Sequence, residues 1–228
     1  MGSLSDHHFS IVKPSAILWD LDGVLVDTAE AHYLSWVDAL LPHGVSYDRA
    51  EFNRTFGMNN HSIIRRLFGS EFPESELLKI SDAKETAFRD AIRGCLPVLP
   101  GVLLWLERFR DYSIPQAVAS SAPMENIDAS LDEAGIRPFF QEIVSAFGKQ
   151  GKPNPWVFLE SGSRLSADPK TCIVIEDSPA GVLGAYHAGY RCIAVSTLLT
   201  PEESKTADLL VDRLDHVQFE DIERILQN

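Results

Sequence analysis

Positive charge is scarce in this 228-residue chain: 20 Lys and Arg stand against 33 Asp and Glu, for a formal net charge of −13. No cluster of Lys and Arg relieves the imbalance, and a nucleic-acid backbone binds through such clusters, so no nucleic-acid partner is expected. Cysteine is also sparse. Cys95, Cys172 and Cys192 are odd in number, far apart and outside any metal-ligand spacing, which fits free thiols in a reducing compartment. Long apolar runs are missing too. No segment has the length of a membrane span, and Met1 to Pro14 holds no apolar stretch of signal-peptide length, so a soluble cytoplasmic protein without a membrane partner is expected. His7-His8, in this polar leader, is read as incidental to function. Internal repeats and low-complexity tracts are absent as well.

With 45% hydrophobic and 23% charged residues the chain is globular, and its length suits one α/β domain or a domain carrying a smaller insert. Ala16 to Leu25 begins as an apolar run that reads as a buried strand and closes on Asp20-Leu21-Asp22-Gly23. Alternation along a strand puts Asp20 and Asp22 on one side, and Gly23 lets the chain turn. Two carboxylates held together repel unless a cation or a shared proton offsets them, which points to metal binding or acid/base chemistry. Taken alone, an Asp-Gly turn that merely solvates a strand end accounts for the element equally well.

From Thr28 to about Cys95 the pattern is helical, with a break at Pro42-His43-Gly44 and further helices expected over Arg49 to Phe56, His61 to Phe68 and Glu74 to Arg93. Leu96-Pro97-Val98-Leu99-Pro100-Gly101 marks a boundary, after which Val102, Leu103, Leu106 and Phe109 predict an amphipathic helix. Short apolar strands then alternate with helices: strands at Gln116 to Ala119, Glu142 to Val144, Cys172 to Ile175 and Cys192 to Val195, helices at Met124 to Ala134, Trp156 to Arg164 and Ala180 to Ala188. The predicted fold class is α/β, a Rossmann-like parallel sheet core of residues 1–27 and 97–228 with an inserted all-helical cap of residues 28–96.

Ligands of such sheets bind beyond the carboxyl ends of the strands. There, Ser120-Ser121 precedes a helix that Pro123 is expected to open, and a helix N-terminus with nearby hydroxyls receives phosphate well; an ordinary serine cap is the alternative. Lys152 lies in Gly151-Lys152-Pro153-Asn154-Pro155, where the prolines restrict the loop, which sets it apart from Lys149. Glu176-Asp177 ends a β-branched strand before Ser178-Pro179, either as a second acidic pair at the site or as partners of the helix dipole. Hard oxygens suit Mg²⁺, while a lysine and N–H groups balance a phosphoryl dianion.

These elements, in this order, resemble the haloacid dehalogenase-like superfamily of phosphohydrolases, in its group with a helical cap. The resemblance implies that Asp20 is the nucleophile, forming an aspartyl phosphate, and that Asp22 is the general acid and base. It also implies Mg²⁺ held by Asp20, the carbonyl of Asp22 and Asp177, with Glu176 as a ligand or its support. Ser120, Ser121 and Lys152 would hold the phosphoryl oxygens. A halide-releasing relative would need neither Asp22 nor Mg²⁺. Asp27-Thr28-Ala29-Glu30-Ala31-His32 with Trp36 is similar to β-phosphoglucomutases and sugar-phosphate phosphatases, which implies substrate or cap roles for Thr28 and His32; a half-buried helix residue accounts for His32 equally well. Lys84, in Ala83-Lys84-Glu85, matches a substrate-facing lysine, or else is an exposed helix lysine. Where the mutases grip a second phosphate with arginine, this chain has Gly57-Met58-Asn59-Asn60-His61 and no arginine before Arg65, so Asn60 or His61 would meet neutral hydroxyls. A phosphatase acting on a small sugar or polyol phosphate is therefore placed ahead of a mutase. A non-catalytic metabolite-binding protein is disfavoured because both the nucleophile and the acid/base position are filled. A monomer is expected, with a dimer as the alternative.

Overall fold

A computed structural model describes residues 12–55, 58–94, 96–196 and 199–227. His7, His8, Phe56, Gly57 and Cys95 lie outside the described residues. The chain divides into two compact units, Met1–Val26 with Pro97–Asn228, and Asp27–Leu96.

β1 (Ala16–Trp19) opens the first unit, and the chain then enters the second. That unit consists of α1 (Ala29–Leu40), a 3-10 turn at Leu41–His43, α2 (Arg49–Thr55), α3 (Asn60–Phe68) and α4 (Glu74–Ala91). Its core is Trp36, Leu40, Tyr47, Phe52, Ile63, Ile64, Leu77 and Ile80, with α1 lying along α4. Back in the first unit follow α5 (Val102–Asp111), β2 (Gln116–Ser120), α6 (Met124–Glu133), β3 (Glu142–Ser145), α7 (Trp156–Arg164), β4 (Cys172–Glu176), α8 (Pro179–Ala188), β5 (Arg191–Val195), β6 (Leu209–Val211) and α9 (Phe219–Gln227).

The strands form one sheet in the order β3-β2-β1-β4-β5-β6, with every neighbouring pair parallel. This is the α/β architecture expected from the alternating pattern. Ile17, Leu18, Ile173 and Val174 are fully buried, as continuous apolar strands covered on both faces must be. One face carries small side chains, Ala16, Ala117, Ala119, Cys172, Cys192 and Ala194, and packs with Val157 and Phe158 of α7 and Val182 and Ala185 of α8. On the other, the Trp19 ring meets Phe109 of α5 edge-on at 6.1 Å. The buried amide of Gln116 joins these layers, accepting from Trp19 Nε1 (3.0 Å) and donating to the Leu106 carbonyl (3.1 Å). Cys172 and Cys192 are buried free thiols. Burial pushes the first up to about 12 and raises the second well above the usual range, so neither is reactive near neutral pH.

β1 is shorter than the sequence suggests. It ends at Trp19, and Asp22 lies in a turn closed by the Gly23 N–H on the Val26 carbonyl (2.9 Å), so the turn rather than strand alternation sets its position. Where the chain departs for and returns from the second unit, Val26 and Val98 form an antiparallel bridge and Leu99 N–H donates to the Leu25 carbonyl (3.1 Å). Among the described residues no helix is long and apolar enough to cross a membrane.

Candidate active site

The strand order runs in opposite directions from β1, and open α/β sheets take ligands beyond the carboxyl ends at such a reversal. Asp20 stands there, its N–H donating to the Ile175 carbonyl (3.0 Å) and its side chain buried. Lys152, from the loop between β3 and α7, puts its ammonium between Asp20 Oδ1 and Glu176 Oε1 and donates to both. Asn154 shapes that loop. Its N–H donates to the Gly151 carbonyl (3.0 Å) and its Oδ1 accepts the Trp156 N–H (3.0 Å), which starts α7. Lys149 is exposed, its ammonium 5.7 Å from the Trp156 ring centre, so the two lysines are as different as the prolines suggest.

Glu176 is fully buried, and its second oxygen is also engaged: Oε2 accepts the N–H groups of Asp177 (2.9 Å) and Ser178 (3.0 Å) and the Ser178 hydroxyl (3.0 Å). Ser178 Oγ in turn accepts the Gly181 N–H (3.1 Å) and caps α8. Two glycines make room for these acids. A Cβ at Gly181 would lie 1.8 Å from Glu176 Cδ, and one at Gly23, where φ is +83°, would lie 2.1 Å from Asp177 Oδ2.

Crowding shifts the titration of these groups. Burial raises Asp20 most; Lys152 pulls it back, Glu176 and Asp22 push it up, and it reaches about 7. Burial, then Glu176 and Asp20, raise Asp177 to about 8 against the pull of Lys152. Burial opposes the charge on Lys152, but the carboxylates of Asp20 and Glu176 outweigh it and hold the ammonium above the ordinary lysine range.

Ser120 is buried at the end of β2, and its Oγ accepts the Ala122 N–H (3.1 Å), while Ser121 is exposed. The N-cap of α6 is Pro123, without a side-chain cap, so Ser120 is not an ordinary helix cap. A groove of about 1100 Å³, lined in part by Asp168, Lys170, Tyr190, Arg191, Lys205 and Asp208, lies instead by the N-terminal ends of β4 and β5.

In the second unit Thr28 is buried at the start of α1 without capping the helix through its side chain. His32 stacks on Phe88 with ring centres 4.3 Å apart, and its Nδ1 lies 3.1 Å from Lys84 Nζ. Lys84 is only 3% exposed, which overturns the alternative of a solvated helix lysine. It donates to both oxygens of Glu85 (3.1 Å each), and Glu85 Oε1 accepts from Asn60 Nδ2 (2.6 Å), which also reaches Ser81 Oγ (3.0 Å). His61 is exposed, 3.6 Å from Glu74. Arg65 is engaged within its own unit, donating to the carbonyls of Ser70 and Phe72 and to Glu74.

Residues 17–195 match the model of the family described as haloacid dehalogenase-like hydrolase. The chain belongs to that family. It is 26% identical to validoxylamine A 7'-phosphate phosphatase of Streptomyces hygroscopicus subsp. limoneus over 89% of this chain and 95% of that protein. It is 27% identical to hexitol phosphatase A of Escherichia coli (strain K12) over 90% of this chain and 94% of that one. Among solved structures, β-phosphoglucomutase from Clostridium difficile superposes with a TM-score of 0.81 at 28% identity, covering 94% of this chain and 97% of that one.

This haloacid dehalogenase-like hydrolase has the donors for the divalent cation that its family implies. Asp20, Glu176 and Asp177 each bring a carboxylate oxygen within 4.8 Å of the others, an all-oxygen set of the kind that suits a hard cation. Burial and mutual repulsion hold Asp20 and Asp177 above the carboxylate range, and a cation offsets both effects, so the residues fit Mg²⁺. Two residues of this hydrolase carry no sequence signal. Glu85 ties Asn60 to Lys84, and Ser145 joins two strand-end loops; neither side chain is given a role by the sequence alone.

Proposed function

We propose that the protein is a Mg²⁺-dependent phosphomonoesterase that hydrolyses a small sugar or polyol phosphate through an aspartyl-phosphate intermediate. The observation that carries this reading is the buried Asp20 carboxylate held by Lys152 beside Glu176 and Asp177. Asp20 attacks phosphorus while Asp22 gives a proton to the leaving oxygen, which frees the alcohol. Asp22 then takes a proton from water, and that water attacks the same phosphorus, releasing inorganic phosphate and restoring Asp20. Lys152, Ser120 and Ser121 hold the phosphoryl oxygens. Mg²⁺, when bound by Asp20, Asp177 and the Asp22 carbonyl, supplies further positive charge at those oxygens. The saturated hydrogen bonding of Glu176 favours its role as support for Lys152 and the cation rather than as an inner ligand.

Thr28, His32, Asn60 and Lys84 are proposed to recognise the hydroxylated part of the substrate. Glu85 faces the Lys84 ammonium with both oxygens and Arg65 is engaged locally, which favours neutral hydroxyls over a second phosphate. The hexitol phosphatase and validoxylamine phosphate phosphatase relatives support the same class. The partner is a small metabolite, with no nucleic acid or membrane, and the protein is a cytoplasmic monomer, a dimer being the alternative. Replacing Asp20 with Asn is expected to abolish phosphate release from a panel of sugar and polyol phosphates at saturating Mg²⁺; retained release rejects Asp20 as nucleophile. The likeness to β-phosphoglucomutase favours one other reading, phosphate relocation on a hexose. Incubation of β-glucose 1-phosphate with a bisphosphate primer separates the two, since relocation yields glucose 6-phosphate and hydrolysis yields free phosphate.

A further inference from the structure

We propose that Ser145 is a positioning residue that fixes the phosphoryl-binding loop, through one hydroxyl shared between two strand-end loops. This rests on the reading that Ser120 and Ser121 receive the phosphoryl group. Ser145 and Ser120 face each other as the last residues of β3 and β2, and the backbone ladder closes on the Ala146 N–H and the Ser120 carbonyl (2.8 Å). The side chain carries the pairing further. Ser145 Oγ donates to the Ala122 carbonyl (2.6 Å), 23 residues away in sequence, and accepts the Phe147 N–H (3.1 Å). Ala122 is thereby held at both backbone groups, its N–H by Ser120 Oγ (3.1 Å) and its carbonyl by Ser145. Pro123, next in the chain, has no N–H to offer and its carbonyl is taken by the N–H groups of Asn126 and Ile127 in the first turn of α6, so the Ala122 carbonyl is the last group by which this loop is held from outside that helix.

Two consequences follow for an incoming phosphoryl group. Ser120 acts as acceptor toward Ala122, which leaves its O–H to donate elsewhere, and an anionic oxygen is the acceptor that the reaction brings. The Phe147 end of the same hydroxyl bridge begins the loop that delivers Lys152. One side chain thus sets the start of both loops that handle the dianion. Valine and threonine are the strand-enriched residues of similar size, so strand pairing alone gives no reason for a serine at this position.

Ser145→Val and Ser145→Thr test this, because they differ only in a methyl against a hydroxyl, with Ser145→Ala as a third variant. In the full-length protein with Mg²⁺, the inhibition constant of inorganic phosphate and the KM and kcat for the best phosphomonoester are measured, with thermal melting alongside. The Val and Ala variants are expected to raise the phosphate inhibition constant and KM about five- to tenfold, the effect of about one hydrogen bond, with a smaller change in kcat. Thr is expected to restore both to within about twofold. Phosphate binding that is unchanged in the Val variant, or lost equally in the Thr variant at unaltered melting temperature, overturns the proposal. Ser120→Ala distinguishes the levels. If that variant leaves phosphate inhibition untouched, the loop reading fails and this proposal with it; if it weakens inhibition while Ser145→Val does not, only the role of Ser145 falls.

Discussion

The carboxylate of Glu176 has hydrogen-bond donors on both oxygens, two backbone N–H groups and a hydroxyl on one and the Lys152 ammonium on the other. That arrangement depends on a missing atom. A methyl at position 181 would lie 1.8 to 2.2 Å from the Glu176 carboxylate, so Gly181→Ala must displace a buried charge from its partners. We expect this variant to lose about 1–3 kcal/mol of stability in urea unfolding and most of its phosphatase activity, because Lys152 loses its second anchor. Wild-type stability in Gly181→Ala would mean that α8 moves aside freely. Much at this scale is legible in sequence: spacing along one strand end brings out Asp20, and the proline-rich loop separates Lys152 from Lys149. Lys84 is not. Its burial depends on His32, 52 residues away, and on which way Glu85 turns, and neither leaves a local pattern.

Apart from the end of β1, hydrophobic periodicity locates the strands and helices through β5 to within a residue or two, since buried strands must be apolar on both faces and helices must hide one stripe. β6 and α9 lie beyond the predicted series. β6 has only three residues, too few for a pattern, whereas Phe219, Ile222, Ile225 and Leu226 of α9 are spaced as a helix face and all buried. That helix packs against α5. The Phe219 ring meets Trp105 at 5.2 Å and Tyr112 at 5.5 Å, and Trp105 Nε1 donates to the Leu214 carbonyl (3.0 Å). Its four buried side chains contribute up to about 6–12 kcal/mol at about 1.5–3 kcal/mol each, comparable with the whole stability of a domain. A chain ending at Gln218 is therefore expected to lack a cooperative thermal transition by circular dichroism. A sharp melt near that of the full chain would show α9 to be dispensable.

For the whole molecule, part of the acidic excess sits where it is hardest to tolerate, in the largely buried cluster of Asp20, Glu176 and Asp177. Asp20 and Asp177, raised to about 7 and 8, bind protons more tightly folded than unfolded, so the stability that comes from their protonated forms is present at low pH. It is lost as pH rises from the ordinary carboxylate range through those values. Without divalent cations the melting temperature is expected to fall between about pH 5.5 and 8.5, with a shallower fall in Asp177→Asn. Mg²⁺ is expected to raise it more at the higher pH, where no proton has to be displaced first. Equal slopes in the two proteins would remove Asp177 as the group responsible. One feature of the backbone reaches beyond any single substrate. Leu25 and Val26 pair with Leu99 and Val98, so the departing and returning strands of chain are a single hydrogen-bonded spacing apart, about 5 Å. Residues 27–96 are therefore an insert whose chain leaves and rejoins the first unit at one place. An engineer can exchange that insert for another of different length and chemistry, and the register of the parallel sheet need not be rebuilt.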